Sequence, residues 1–348
     1  MKKIKIKYEG FWKGFDENKF FITEILKKYY DVEICADADY IICSVFGFYD
    51  YLGNDKIRIM FSGENYIPDF NLVDYAISVY PIDFLDRHFS FPGLVLEKMD
   101  TFDELRKKER KYEKNFPKEK TILANMIASH ESENMLRGDL FRLLSQYKYV
   151  EAGGTYLNNT PDGSSVKISD GSKRALQSKC KFTICPESTV HDGFVTEKIF
   201  DAFLADTIPI YCGSSTISNI VNPKSYININ DFNRLEDVLK KVIELDTNDD
   251  LYLEMLNQPI FVQDNYAEEK IIGIEQFVKN IFDQPIDKAY RRSRSHRPMM
   301  YEQHLMEVKG LEKEYYDGKF NSIQWVTNVL SQKMQRMPSH IRKKFGFK

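Results

Sequence analysis

Hydrophobic positions in the first eighty residues change period several times. Lys3–Tyr8 alternates charged and apolar residues with period two, which predicts a strand with one buried face. Glu17–Tyr29 spaces Phe20, Phe21, Ile25 and Leu26 as one face of a helix. Short apolar runs of strand length follow at Tyr40–Val45, Lys56–Phe61 and Asp74–Val79. The second of these ends in the turn Ser62-Gly63-Glu64-Asn65. Apolar strands separated by helices predict a parallel sheet covered on both faces.

A second pattern of the same kind starts at Thr121–Ile127. It continues through a helix at Asn134–Gln146, a strand at Tyr147–Glu151, a turn at Gly153-Gly154 and a helix at Ser172–Ser178. Lys181–Cys185, Thr207–Tyr211 and Tyr226–Asn228 read as further strands, Val195–Ala205, Leu235–Leu245 and Glu269–Phe282 as helices. Between the two patterns lies Asp103–Lys120, dense in charge and poor in aliphatic residues, which predicts an exposed helix and connector. The expected organisation is an α/β domain over residues 1–115, a second over 116–285 and a helical tail over 286–348. Two open α/β domains facing each other leave a cleft in which ligands bind.

Charge divides along this organisation. Residues 288–348 carry 14 Lys/Arg against 5 Asp/Glu, a surplus of nine, whereas the rest carries 35 against 47. Acidic residues are mixed through the charged connector and no nucleic-acid motif is present, so no nucleic-acid partner is expected. The five cysteines are odd in number and lack a CxxC pair, which predicts buried free thiols and a reducing cytoplasm. MKKIKIKYEGFW is not a signal peptide, and no run of 18 apolar residues occurs, so membrane contact is expected to be peripheral. In the tail, Phe320, Ile323, Val326, Val329, Leu330 and Met337 fall largely on one helical face, flanked by RRSRSHR at 291–297 and IRKKFGFK at 341–348. Such a stripe has two readings. It lies on an anionic membrane surface, each cation adding about 1 kcal/mol, or it packs on the protein's own body or a partner subunit.

Candidate chemistry concentrates between Lys181 and Ser214. There a strand runs into a polar loop with Glu187, Ser188, Thr189, His191 and Asp192, and a helix opens at Thr196-Glu197-Lys198. Backbone N–H groups at a helix start favour an anion such as a diphosphate, with Lys198 adding a full charge. Glu197 can stabilise a cationic centre. Ordinary capping by Thr196 and Glu197 explains the same residues. Arg137, near the start of its helix, can grip phosphate oxygens through two N–H groups or simply face solvent. Glu64, at the carboxyl end of a strand, is placed to take a proton from a hydroxyl, or to bond nearby backbone. Asp37-Ala38-Asp39 reads as a turn and no cluster has metal-ligand spacing. Neither a GxGxxG nor a GxxxxGK[ST] fingerprint occurs, which argues against nicotinamide enzymes and P-loop phosphoryl transfer.

These residues carry a family likeness. KFTICPESTVHDGFVTEKIFDAFLADTIPIYCGS resembles the donor-binding signature of the α-1,3/1,4-fucosyltransferases, glycosyltransferase family 10, in its soluble bacterial form. SGENYIPDFNLVDYAIS, LRGDLFRLLSQYKYVEAGG and NPKSYININDF extend the likeness in the family's order over most of residues 57–232. The resemblance implies the GT-B architecture, two Rossmann-like domains facing across a cleft, and inverting transfer of fucose from GDP-fucose to the 3-hydroxyl of a GlcNAc- or glucose-type residue in a surface glycan. It implies no metal in the site, Glu64 as general base, Glu197 facing the fucose ring, and Arg137 and Lys198 as the cations on the departing GDP. Thr196, Phe194, Glu187 and Ser188 complete the implied donor site. Bacterial members imply a cytoplasmic enzyme at the inner face of the membrane. The family commonly has Glu-Asn-Ser where this chain has Glu187-Ser188-Thr189, and Tyr where it has Phe194. Those departures motivate a second expectation, the same fold and mechanism with another GDP-hexose; a third is a catalytically silent glycan- or nucleotide-binding homologue.

Overall fold

The computed structural model describes residues 1–47, 49–91, 104–166, 171–263 and 265–316. The first domain is a six-stranded sheet built from β1 (Lys3–Glu9), β2 (Asp31–Ile34), β3 (Tyr40–Cys43), β4 (Ile57–Ser62), β5 (Tyr75–Ser78) and β6 (His88–Ser90), in the order β2-β1-β3-β4-β5-β6. Every neighbouring pair is parallel. The apolar runs β3, β4 and β5 are buried at every position, as expected of strands covered on both faces. The short edge strands β2 and β6 were not foreseen, because four and three residues are too few to show a period. The first helix, α1 (Phe21–Tyr29), begins later than the spacing suggested.

The second sheet contains β7 (Ile122–Met126), β8 (Val150–Ala152), β9 (Cys180–Ile184), β10 (Ile208–Tyr211) and β11 (Ile227–Asn228), in the order β11-β10-β9-β7-β8. It too is parallel throughout. In both sheets the first strand has the second on one side and the third on the other. The chain therefore reverses its direction of growth between β1 and β3 and again between β7 and β9, and crevices for ligands open at the carboxyl ends of such switch points. Asp37 lies before β3, at the opposite end, and pairs with Lys5 and Lys56, in accord with its reading as a turn. All five cysteines are free thiols and all but Cys35 are buried.

Two expectations are corrected by packing. The charged connector is not a solvated helix. Among its described residues only 104–107 and α2 (Phe116–Glu119) are helical, and Leu105, Arg110 and Pro117 are buried. Lys108 donates to the Leu204 carbonyl and pairs with Asp206, while the Arg110 guanidinium lies over the Phe203 ring and donates to Gln258 O. Charge-dense sequence here fastens the linker to the second domain, with aliphatic stems buried beneath polar heads.

The second domain ends before the helix that follows it. Helix α3 (Tyr266–Asp283) returns to the first domain and does not close the second, as a boundary at 285 implies. Lys2 donates to Phe282 O, Tyr30 to Asp283, and the Phe282 ring meets Tyr40 at 4.4 Å. Its buried face, Ile274, Val278, Ile281 and Phe282, belongs to the core that also holds Ile4, Ile6, Ile57 and Ile59. Beyond it, α4 (His296–Tyr316) packs on the same domain through Glu302–Arg58 and Lys309–Asp50 pairs. Arg291 and Arg292, read as part of a basic membrane-facing run, instead pair with Asp86 and Asp74. The apolar stripe from Phe320 to Met337 and the basic run at 341–348 lie outside the described residues. Among those described, no helix is long and apolar enough to cross a membrane.

Candidate active site

The carboxyl ends of the two sheets face one cleft. Its walls are Gly63 and Glu64 after β4, residues 127–130 after β7, Arg137, then Ser188, Phe194, Thr196, Glu197 and Lys198, around a space of about 290 Å³. Seven of the eight side chains singled out from the sequence line it. Glu187 does not.

On the first-domain wall, Ser62 Oγ accepts the Glu64 N–H at 3.2 Å and the Tyr66 N–H bonds Glu64 O at 2.7 Å. This tight turn leaves the Glu64 side chain exposed, and its carboxylate has no hydrogen bond or ion pair to another described residue. A carboxylate held only through its backbone is free to accept a proton from a ligand. The neighbouring Asn65 side chain accepts from Tyr80 OH. Tyr80 and Val79 form a buried cluster with Phe194, so the Phe194 ring joins the two walls while also facing the cleft.

On the second-domain wall, helix α5 (Leu136–Ser145) presents Arg137. This helix lies between β7 and β8. Glu131 organises its start: one oxygen accepts the N–H groups of Ser132 and Arg137, the other that of Gly138 and the Tyr156 hydroxyl. Burial opposes the Glu131 charge, and these bonds more than compensate, lowering its pKa. Arg137 is 3% exposed. Its Nη1 donates to His130 O at 2.8 Å, and its Nε and Nη2 to Pro186 O at 3.3 and 3.1 Å. The guanidinium thus ties the loops after β7 and β9 together at the switch point. Three of its five N–H donors are engaged, which leaves two for a ligand. Burial lowers its pKa, opposed by Glu187, Glu131 and Glu197. Gly154 makes this loop packing possible: a Cβ there would stand 2.1 Å from Ala128 O.

The helix at the heart of the sequence signature, α6 (Glu197–Leu204), begins after Thr196. Thr196 occupies the cap position, but its hydroxyl does not bond the helix backbone. It donates to Glu187 Oε2 at 2.7 Å and accepts from Lys198 Nζ at 2.8 Å. Lys198 also reaches Glu187 Oε2 at 3.2 Å and Glu197 at 3.8 Å. Burial works against the Lys198 charge, yet Glu187 and Glu197 outweigh it and its pKa is raised. For Glu197, burial pushes the pKa up while Lys198 and Lys173 pull it down further, so it ends below the usual carboxylate range. Glu187 was expected to touch the donor. It is 1% exposed, with both oxygens turned toward Thr196 and Lys198, and stands behind the wall. Ser129 and His130, in the cleft, and Glu131, behind it, were missed. Their signal was the one used for the 187–192 loop, a polar stretch between a predicted strand end and a helix.

Known proteins resemble this chain in sequence and in fold. The chain is 32% identical over 226 residues to the alpha-(1,3)-fucosyltransferase FucT of Helicobacter pylori, covering 57% of this chain and 46% of that protein. It is 31% identical over 121 residues to the mouse 4-galactosyl-N-acetylglucosaminide 3-alpha-L-fucosyltransferase 9, covering 34% of this chain and 31% of that one. The chain thus spans less than half the length of these curated relatives. A crystal structure of alpha1,3-fucosyltransferase with GDP superposes with a TM-score of 0.63 at 25% identity, covering 80% of this chain and 91% of that one. The fold is therefore the two-domain α/β architecture expected from the sequence. The model of the alpha-(1,3)-fucosyltransferase FucT N-terminal domain matches residues 6–96, and that of glycosyltransferase family 10 (fucosyltransferase) C-term matches 117–261. Together they span both domains and the cleft between them, and the chain belongs to glycosyltransferase family 10.

Proposed function

We propose that this protein transfers fucose from GDP-fucose, with inversion, to the 3-hydroxyl of a GlcNAc- or glucose-type residue in a glycan. The observation that carries this reading is the division of charge across the cleft. One wall supplies the unpartnered carboxylate of Glu64, the other the cations Arg137 and Lys198 with Glu197 beside them.

In this reaction the acceptor hydroxyl gives its proton to a Glu64 oxygen as its own oxygen forms the new bond to the fucose anomeric carbon. The bond from that carbon to the β-phosphate oxygen breaks, and its electron pair leaves with GDP. Attack from the face opposite the leaving group inverts the centre. Arg137 and Lys198 meet the negative charge growing on the diphosphate, and Glu197 meets the positive charge growing on the sugar. Groups fixed in advance where charge develops lower the barrier without reorganising during the step.

The test is acceptor-dependent release of GDP from GDP-fucose, with GDP-mannose as the rival donor and N-acetyllactosamine and lactose as acceptors. Release from GDP-fucose supports the reading, release from GDP-mannose alone reassigns the donor, and a purified protein that binds no GDP overturns it. We place the enzyme in the cytoplasm at an anionic membrane face, on the strength of the basic sequence at 341–348. Failure to co-sediment with anionic vesicles at low salt would remove that placement.

A further inference from the structure

The transfer reaction leaves the Glu187 side chain unused, and it is the most enclosed polar residue of the signature loop, 1% exposed. Oε1 accepts the Thr196 N–H at 2.8 Å, and Oε2 accepts the Thr196 hydroxyl at 2.7 Å and the Lys198 ammonium at 3.2 Å. Tyr211 OH lies 3.5 Å from Oε1. The cage is closed from behind: a Cβ on Gly213 would stand 2.2 Å from Tyr211 OH and 2.8 Å from Glu187 Cγ. A buried carboxylate is costly unless each oxygen is bonded. Here every bond but the long one from Tyr211 goes to residues of the cleft wall.

Resting on the transfer reading above, we propose that Glu187 is the positioning residue for the leaving-group cation: it aims the Lys198 ammonium into the cleft and keeps it there, without touching the donor. The Thr196 hydroxyl relays the same constraint, since it donates to Glu187 and accepts from Lys198. Lysine is a point charge on a flexible stem, so holding it in one place requires a fixed partner. Glu197 stands farther from the ammonium, at 3.8 Å, and its side chain is the more exposed of the two carboxylates. The raised Lys198 pKa is in keeping with this division of labour.

A purely structural role for Glu187, as the acceptor that anchors the Thr196 N–H, predicts something different, and glutamine separates the two. Glu187→Gln keeps one oxygen for Thr196 N–H and nearly the same volume, but turns an NH₂ toward the Lys198 ammonium. The measurement is GDP binding to the full chain by calorimetry, for wild type, Glu187→Gln, Glu187→Asp, Lys198→Met and the double variant Glu187→Gln/Lys198→Met. Glu187→Gln is expected to weaken GDP binding roughly ten- to a hundredfold, the range for a hydrogen bond to a charged group. In the Lys198→Met background the same change should cost less than about twofold, because its effect runs through the missing ammonium. Glu187→Asp, which keeps the charge, should recover part of the loss, and it carries the comparison if the glutamine variant does not fold. The alkaline limb of GDP binding should also move to lower pH in Glu187→Gln, since a less supported ammonium gives up its proton sooner. An equal loss with and without Lys198, or wild-type affinity in Glu187→Gln, overturns the inference while the transfer reading stands. A wild-type protein that binds no GDP overturns both.

Discussion

Arg292 and Asp74, 218 residues apart in sequence, meet as a buried ion pair with Nη1 and Oδ2 3.0 Å apart. Asp74 precedes β5 and also accepts the backbone N–H groups of Arg58, Arg291 and Arg292, each at 2.8 Å. Arg292 Nη2 donates to Lys56 O at 2.9 Å. One carboxylate therefore pins the segment after α3 to the first sheet. Removing one partner of such a pair leaves the other buried and uncompensated, at a cost of about 3–5 kcal/mol. Arg292→Ala should lower the urea unfolding free energy by that amount, and a loss below about 1 kcal/mol would show that the pair does not anchor the segment.

His88 on β6 supplies a pH dependence of stability. Its ring accepts from Ser78 Oγ at 2.9 Å through Nε2, because Nδ1 donates to Ile82 O at 2.9 Å. Burial lowers its pKa below the usual value, with the Ile82 bond opposing. The sign follows from linkage: the unfolded chain takes up the proton first as pH falls, so the contribution is full above about 6.5 and declines below it. Unfolding free energy should drop between pH 7 and pH 5, and His88→Gln should flatten part of that slope. Equal slopes in both proteins would refute the assignment.

Central strands were legible because β3, β4 and β5 are buried at every position and so are apolar at nearly every position. The site was legible because a strand end, a polar loop and a helix start are contiguous in the chain, as at 181–198. Helix α3 could not be assigned to its domain, because an apolar face does not say which sheet it covers. Arg292 and Arg110 looked like solvated charge, and only long-range partners, Asp74 for one and Phe203 for the other, reveal them as buried. Glu187 looked like a ligand contact because it sits in a polar loop, but its oxygens are taken by Thr196 and Lys198 farther along the chain.

Arg137 should not be replaceable by lysine. Its planar fork reaches His130 O and Pro186 O together, which joins two loops and still leaves donors for phosphate oxygens. A single ammonium can hold one carbonyl or face the ligand. Arg137→Lys is expected to weaken GDP binding roughly tenfold or more, the scale of one charge-assisted bond. Undiminished affinity would remove Arg137 from the phosphate-binding role.

The first-domain aromatics sort into core and surface. Tyr8, Phe11 and Phe15 pack on the core, with Phe11 and Phe15 stacked at 4.0 Å. Trp12 and Phe46 are exposed, ring centroids 5.9 Å apart, on the loops that follow β1 and β3. These strands end on the same rim as β4, which Glu64 follows, with β3 between β1 and β4. Neighbouring strands are about 4.8 Å apart, so the loops bearing the two rings lie on the side of the sheet where Glu64 stands. Trp12→Ala should raise KM for a disaccharide acceptor roughly fivefold, about 1 kcal/mol of lost ring contact, with the KM for GDP-fucose unchanged. A change in the donor constant instead would place Trp12 outside the acceptor path.

Glu64 provides the sharpest separation of chemistry from binding. Its carboxylate has no partner among the described residues, and it stands on the wall opposite the cations, so its removal is expected to disturb neither the fold nor the contacts proposed for GDP. Glu64→Gln keeps the shape of the side chain and its place in the turn, whose bonds to Ser62 and Tyr66 are made by backbone atoms. What it loses is the capacity to take a proton. Turnover should fall a hundredfold or more, on the order of general-base catalysis, while the melting temperature and the calorimetric affinity for GDP stay at wild-type values. A loss of GDP affinity in parallel with turnover would place Glu64 in the donor site, and unchanged turnover would require another base in the cleft, for which His130, on the facing loop, is the nearest candidate in chemistry.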